Sequence, residues 1–124
     1  ISDMEPVRIE GIVVPGRRLG RELGFPTANL SAQGEVAAED GVYASWAEVD
    51  GVRYRAMSNL GCNPSVGGCE RRLETHLFGF GGSLYGRRMT VVLWRKIRDE
   101  RRFASVEELR AQIAKDKEYI LKLR

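Results

Sequence analysis

Thr27 and Asn29 sit two residues apart in "GRELGFPTANL", residues 20 to 30. At that spacing in extended chain, side chains leave the backbone on the same side. A hydroxyl and an amide oxygen together are hard oxygen donors, suited to Mg²⁺ when phosphates complete its shell. Pro26, just ahead, fixes φ and restricts how the pair is presented. Gly16, Gly20 and Gly24 recur at every fourth position before it. Glycines at this density let backbone N–H groups close around an anion, as phosphate-binding loops do. Arg17, Arg18 and Arg21 lie between them and add positive charge. A flexible surface loop has the same glycines, and Thr and Asn commonly bond the backbone of a turn. These residues alone leave both readings open.

Glu74 is the next candidate. It lies in "RRLETHLFGF", where Leu73, Thr75 and Leu77 alternate with Arg72, Glu74, His76 and Phe78. Glutamate is disfavoured in mid-strand. A carboxylate beside a phosphate site could take the proton from an attacking hydroxyl. A cross-strand pair with one of the many arginines is the competing explanation. His76, the only histidine, is by itself more often a hydrogen-bonded structural residue than a base.

The elements that must position these groups are short strands. "VRIEGIVV", residues 7 to 14, is β-branched and ends at Pro15-Gly16, which predicts a strand. Residues 15 to 40 read as one long loop, and long loops in compact domains are usually functional. "GVYASWAEVDGVRYRAMSNLG" predicts a hairpin turning at Asp50-Gly51, a dipeptide favoured where two residues need positive φ. "NPSVGG" then breaks the chain, Gly81-Gly82 predicts a turn, and "MTVVLWRKI" the last strand. The period changes at the C-terminus. Ser105 with Glu108 three residues on is a capping-box pattern. Val106, Leu109, Ile113 and Ile120 recur at helical spacing, which predicts one amphipathic helix over 105 to 123 whose stripe covers an end or flank of the sheet. Five or six antiparallel strands followed by one helix form a small barrel or sandwich. Neither βαβ alternation nor a Walker ending is present.

Bulk properties narrow the class. The 124 residues suit one domain able to fold without staples. The net charge of +3 is modest, yet arginines cluster at 17–21, 71–72, 87–88 and 95–102, which suits an anionic partner or a set of solvated strand edges. Cys62 and Cys69 are too few for a zinc site; a disulfide is possible in principle, but nothing else suggests secretion, and they read as free thiols in a reducing compartment. No apolar run approaches the ~20 residues of a membrane helix. The first residue, Ile1, is not methionine, so the expectation is a piece of a longer protein with its boundary near Glu5 and Pro6.

Together the segments resemble a family. "GRELGFPTANL", "GVYASW", "SNLGCNPSVGG", "LETHLF", "LYGRRMTV" and "IRDERRFASVEELRAQIAKD" occur in the order found in riboflavin kinase (flavokinase) domains, from about Val7 to Leu121. The resemblance implies a mainly β fold, a six-stranded antiparallel Greek-key barrel with a C-terminal α-helix. It implies transfer of the ATP γ-phosphoryl group to the terminal ribityl hydroxyl of riboflavin, giving FMN and ADP. Carried over by position, the Gly16, Arg17, Gly20, Arg21 and Gly24 loop with Pro26 wraps the nucleotide phosphates. Thr27 and Asn29 hold the divalent metal, Mg²⁺ or another such as Zn²⁺ or Mn²⁺. Glu74 is the catalytic base, and the stretch around Arg98, Arg101 and Phe103 is a flap over the flavin ring. A cytoplasmic location follows. An FMN adenylyltransferase module in the same native chain would accompany it in bifunctional relatives.

Two positions depart from that pattern: Gly79, where many relatives have aspartate, and Ser65, where they often have threonine. A basic barrel that binds nucleic acid through Tyr43, Trp46, Tyr54 and Trp94 is the rival class. A flavin-binding domain without catalysis is a third. Neither accounts for Thr27, Asn29 and Glu74 together.

Overall fold

The computed structural model describes residues 5–14, 27–31, 36–65 and 68–123; within these the side chains of 63–65, 69 and 70 are left aside. Six strands are followed by one helix: β1 (Val7–Ile12), β2 (Ala28–Ser31), β3 (Gly41–Val49), β4 (Val52–Ser65), β5 (Gly68–Leu77), β6 (Arg88–Arg98) and α1 (Val106–Lys122). All pairings are antiparallel, in the order β1-β6-β3-β4-β5-β2. Strands β3, β4 and β5 form a meander, and β2 returns beside β5, which is the Greek-key arrangement. The two edge strands approach each other and are joined by a bridge between Val14 and Asn29, whose carbonyl accepts from the Val14 N–H at 2.9 Å. The sheet is therefore a nearly closed barrel. Two register shifts between β3 and β6, at Val42/Tyr43 and Ala44/Ser45, bend the sheet toward closure.

Alternation decides which face is interior. Leu30, Tyr43, Ala47, Ala56, Leu60, Leu73, Leu77, Met89, Val91 and Leu93 point inward and are buried. Among them runs a polar chain: Ser45 Oγ, Ser58 Oγ and Thr75 Oγ1 are linked by two hydrogen bonds of 2.8 Å, all three residues being buried. A buried hydroxyl without a partner would be costly, and here each finds one.

The hairpin between β3 and β4 turns where the sequence predicts. Asp50 and Gly51 have φ of 52° and 78°, the left-handed pair of a type I′ turn. The helix begins as expected. Ser105 Oγ accepts from the Glu108 N–H at 3.2 Å, although the Glu108 carboxylate reaches the N–H of Ala104 rather than that of Ser105. At the other end Arg55 of β4 donates to the carbonyls of Ile120, Leu121 and Leu123 at 2.6 to 3.1 Å. These are the carbonyls a helix terminus leaves unpaired, and a cation there also suits the helix dipole. Helix α1 is thus fastened on the outward face of β4.

Several expectations need correction. Residues 15 to 40 are not all loop, since β2 lies within them; four residues with one buried polar position are too short to show a strand period. "NPS" does not break the sheet, because β4 runs through Ser65 and only 66–67 separate it from β5. The turn after β5 begins at Phe78-Gly79, ahead of Gly81-Gly82. Val106 is exposed, and the buried positions of α1 are Ile120 and the charged Asp116. Cys62 is disulfide-bonded and no cysteine among the described residues is free, so the free-thiol reading of the cysteines fails.

Candidate functional site

Asn29 of β2 stands opposite Glu74 of β5, and Glu74 stands opposite Asn59 of β4. Cross-strand partners project on the same face about 5 Å apart. Because Leu30, Leu73, Thr75 and Leu60 fill the interior, Asn29, Glu74 and Asn59 lie on the outward face. One step along, Thr27 precedes β2 on the same side as Asn29, and His76 lies opposite Met57. The expected juxtaposition of the "PTAN" oxygens with the "ETH" carboxylate is therefore a consequence of the β2–β5 pairing.

The state of the polar atoms matters more than their proximity. Asn29 is buried, and its Oδ1 has no hydrogen-bond partner. A buried carbonyl oxygen left bare costs free energy. Evolution tolerates such atoms where something else completes them. Glu74 makes neither a hydrogen bond nor an ion pair among the described residues, so the arginine-pair explanation of its mid-strand position does not hold there. An orphaned amide oxygen facing an unpaired carboxylate suits a divalent cation or a substrate hydroxyl. No three His, Cys, Asp or Glu side chains group as a metal cage among the described residues. A cation here would draw on Asn29, Thr27 and non-protein oxygens.

Thr27 also lines a cleft of about 530 Å³ with His76, Phe80, Leu84, Tyr85 and Lys117. Gly79 is on its rim at φ 81°, with nothing within 4 Å of where a Cβ would be. Space is therefore available for a side chain there, at the cost of a left-handed backbone. Gly16, Arg17, Gly20, Arg21, Gly24 and Pro26 lie outside the described residues, as does the side chain of Ser65.

The segment after β6 is pinned on both sides. Arg98 forms a two-pronged pair with buried Asp116 of α1, Nε and Nη2 lying 3.1 and 2.9 Å from Oδ2, and Gln112 Nε2 donates to the other Asp116 oxygen at 2.9 Å. Lys96 donates to Glu39 and Asp99 at 2.6 and 2.5 Å, which raises its pKa and lowers that of Asp99. Arg98 and Arg101 both lie over the ring of Phe103, 5.8 and 5.0 Å from its centroid. Arg98, Arg101 and Phe103 thus cluster, with Arg98 chiefly tying strand to helix. Sequence reasoning missed Asp116, which the helical stripe hides among polar neighbours.

It also missed Glu100. Its carboxyl group rests against Gly61 of β4, with Cδ 2.9 Å from where a Cβ would sit. Gly61 and Asn59 share the outward face, so this carboxylate is one residue pair away from the Asn59–Glu74 pair. Partial desolvation raises the Glu100 pKa most, and the like charges of Asp40 and Glu74 raise it further, against a lowering by Arg98.

The riboflavin kinase (flavokinase) family model matches residues 4–123. The chain belongs to the riboflavin kinase family. It is 47% identical over 114 residues to the bifunctional riboflavin kinase/FMN adenylyltransferase of Escherichia coli K12, covering 90% of this chain and 36% of that protein. It is 44% identical over 109 residues to the RNA-binding riboflavin kinase RibR of Bacillus subtilis, covering 87% of this chain and 47% of that one. A solved structure named as a macrolide-efflux protein from Streptococcus pneumoniae superposes with a TM-score of 0.80 at 36% identity, covering 96% of this chain and 39% of that chain. The chain thus spans little more than a third of the bifunctional relative. The Greek-key barrel with a C-terminal helix agrees with what the motifs implied.

Among the described residues, several of the clustered basic side chains are engaged in ion pairs. Arg71 pairs with Asp40 at 2.8 Å, Arg87 pairs with Asp50, and Lys96 and Arg98 are engaged as above. Tyr43 is buried, and Trp46 is covered by Arg53 at 4.4 Å. Two of the four aromatics named for a nucleic-acid platform are thus covered. No helix among the described residues is long and apolar enough to cross a membrane.

Proposed function

We propose that this chain transfers the γ-phosphoryl group of ATP to the primary ribityl hydroxyl of riboflavin, giving FMN and ADP. The observation that carries the reading is the bare Asn29 oxygen set opposite the unpaired Glu74 carboxylate on the outward face. Glu74 accepts the hydroxyl proton as the acceptor oxygen bonds to the γ-phosphorus and the bond to the ADP oxygen breaks. Such transfer needs positioning and charge neutralisation more than covalent help. A primary alcohol is a weak acid, so Glu74 mainly orients it and takes the proton late.

Thr27 and Asn29 would hold the divalent cation, Mg²⁺ in the first instance, with phosphate oxygens completing its shell. When bound, the cation neutralises developing charge on the phosphates. The cleft beside Thr27, with Lys117 and Tyr85 on its wall, is the place for the nucleotide. Gly16, Arg17, Gly20, Arg21, Gly24 and Pro26 would close over its phosphates, and Arg101 and Phe103 would face the flavin ring. A cytoplasmic location, where ATP is supplied, goes with this reading. The adenylyltransferase activity named for the bifunctional relatives is not proposed for this segment.

The test is direct. The purified chain is mixed with riboflavin, ATP and Mg²⁺, and FMN is followed by chromatography, with Glu74→Gln alongside. FMN from the wild type and a loss of about a hundredfold or more in the variant is the expected result. Full turnover by a Glu74→Gln protein that binds both substrates would remove Glu74 from the role of base.

A further inference from the structure

Glu100 lies within electrostatic reach of two other carboxylates, Asp40 and Glu74. Asp40 is neutralised by Arg71, which donates to it through Nε at 3.1 Å and Nη2 at 2.8 Å. Glu74 and Glu100 have no such partner among the described residues. Register places the two near each other: Glu74 stands opposite Asn59, and Glu100 rests against Gly61 two residues along β4. Gly61 leaves the room, since a Cβ there would make the Glu100 carboxyl shift from its place. The neighbouring backbone is fixed by the Lys96–Asp99 and Arg98–Asp116 pairs, and Arg98 Nη1 donates to the Asp99 carbonyl at 3.1 Å. Independently, the buried Asn29 oxygen beside Glu74 is left without a hydrogen-bond partner, which suits a ligand on this face.

We infer that Glu100, seated on Gly61, binds the secondary hydroxyls of the acceptor's sugar-alcohol chain, so that the site selects a polyol-bearing flavin over a plain hydroxyalkyl one. Carboxylates accept only, and a chain of vicinal hydroxyls offers several donors in a row. Glu74 takes the terminal hydroxyl, and Glu100, one residue pair further along β4, takes hydroxyls nearer the ring. Charge-assisted bonds of this kind are the strong ones. A site built to bond a hydroxyl rejects the analogue that lacks it, because its own acceptor is left bare. The inference rests on the riboflavin reading and adds the residue that recognises the chain between ring and reacting oxygen.

The test compares wild type, Glu100→Ala and Gly61→Ala on riboflavin and on a flavin bearing an unbranched ω-hydroxyalkyl chain. Riboflavin affinity is read from quenching of its fluorescence, and turnover from product. In Glu100→Ala, riboflavin Kd and KM are expected to rise about tenfold to a hundredfold with kcat nearly unchanged. The preference for riboflavin over the hydroxyalkyl flavin should collapse. Gly61→Ala, which keeps the carboxylate but displaces it, should do the same. Unchanged preference in both folded variants would overturn the inference, as would a defect confined to the KM for ATP or to Mg²⁺ titration. Because flavin binding is read without turnover, a wild type that binds riboflavin but makes no FMN would defeat the kinase reading and leave this one testable.

Discussion

The amide oxygen of Asn29 on β2 is buried, lacks a hydrogen-bond partner, and stands directly across the strand pair from the unpaired carboxylate of Glu74 on β5. Satisfying either group within the protein would have been easy, given 20 lysines and arginines in the chain. Leaving both open costs stability; on the proposed reading it makes room for a cation and a hydroxyl. That trade gives the first prediction.

Replacing Asn29 by leucine, similar in volume and without polar atoms, removes the unsatisfied acceptor. The variant should be as stable as the wild type or more so, by up to about 1–3 kcal/mol. It should lose Mg²⁺-dependent turnover and the rise in Tm that Mg²⁺ with ATP gives the wild type. Thermal unfolding with and without Mg²⁺ and ATP checks both halves. An Asn29→Leu protein still stabilised by the metal–nucleotide pair would place the cation elsewhere.

Arg98 and Asp116 fasten the last strand to the helix through a pair in which Asp116 is 4% exposed and Arg98 20%. Removing one partner of a buried pair strands the other, at a cost of about 3 kcal/mol here, the low end of the range because Arg98 keeps contact with water. Arg98→Met and Asp116→Leu should each lower the urea midpoint by that measure. The double variant should recover part of the loss. If the two single effects simply add, the pair is not coupled and α1 is held by other contacts.

Ser58 is the middle member of the hydroxyl chain inside the barrel. Ser58→Ala leaves the buried Ser45 and Thr75 without that link and opens little space. A loss of about 1–3 kcal/mol is expected. A change below about 0.5 kcal/mol in urea unfolding, the range of ordinary surface substitutions, would mean that the chain contributes nothing net.

Glu100 carries a carboxyl whose pKa is raised in the folded protein. The fold therefore prefers its protonated form. Below the ordinary carboxylate range both folded and unfolded chains hold the proton, and the residue has no electrostatic cost. As pH rises through the raised folded value, ionisation sets in and the penalty appears. Glu100→Gln should therefore raise Tm at neutral pH, and the advantage should shrink as pH falls toward about 4. Melting curves across that interval decide the matter, and a Tm difference independent of pH would show that desolvated charge is not the cause.

Local chemistry made much of this protein legible in its sequence. Asp50-Gly51 specified a turn because two consecutive positive φ values suit few other dipeptides. Leu73, Thr75 and Leu77 specified a face because strand side chains alternate. Ser105 and Glu108 specified where α1 begins, and the order of the motif segments specified the family. Tertiary structure decided what joins distant segments. Whether "ANLS" is a strand depends on β5 being there to pair with it, and only that pairing puts Asn29 opposite Glu74. The value of Gly61 depends on a carboxylate arriving from beyond β6. Asp116 reads as a polar helix residue until Arg98 is brought against it. Each of these rests on closure of the barrel, and closure is set by the summed burial of many side chains and the bulges in β3 and β6, which no short stretch of sequence contains.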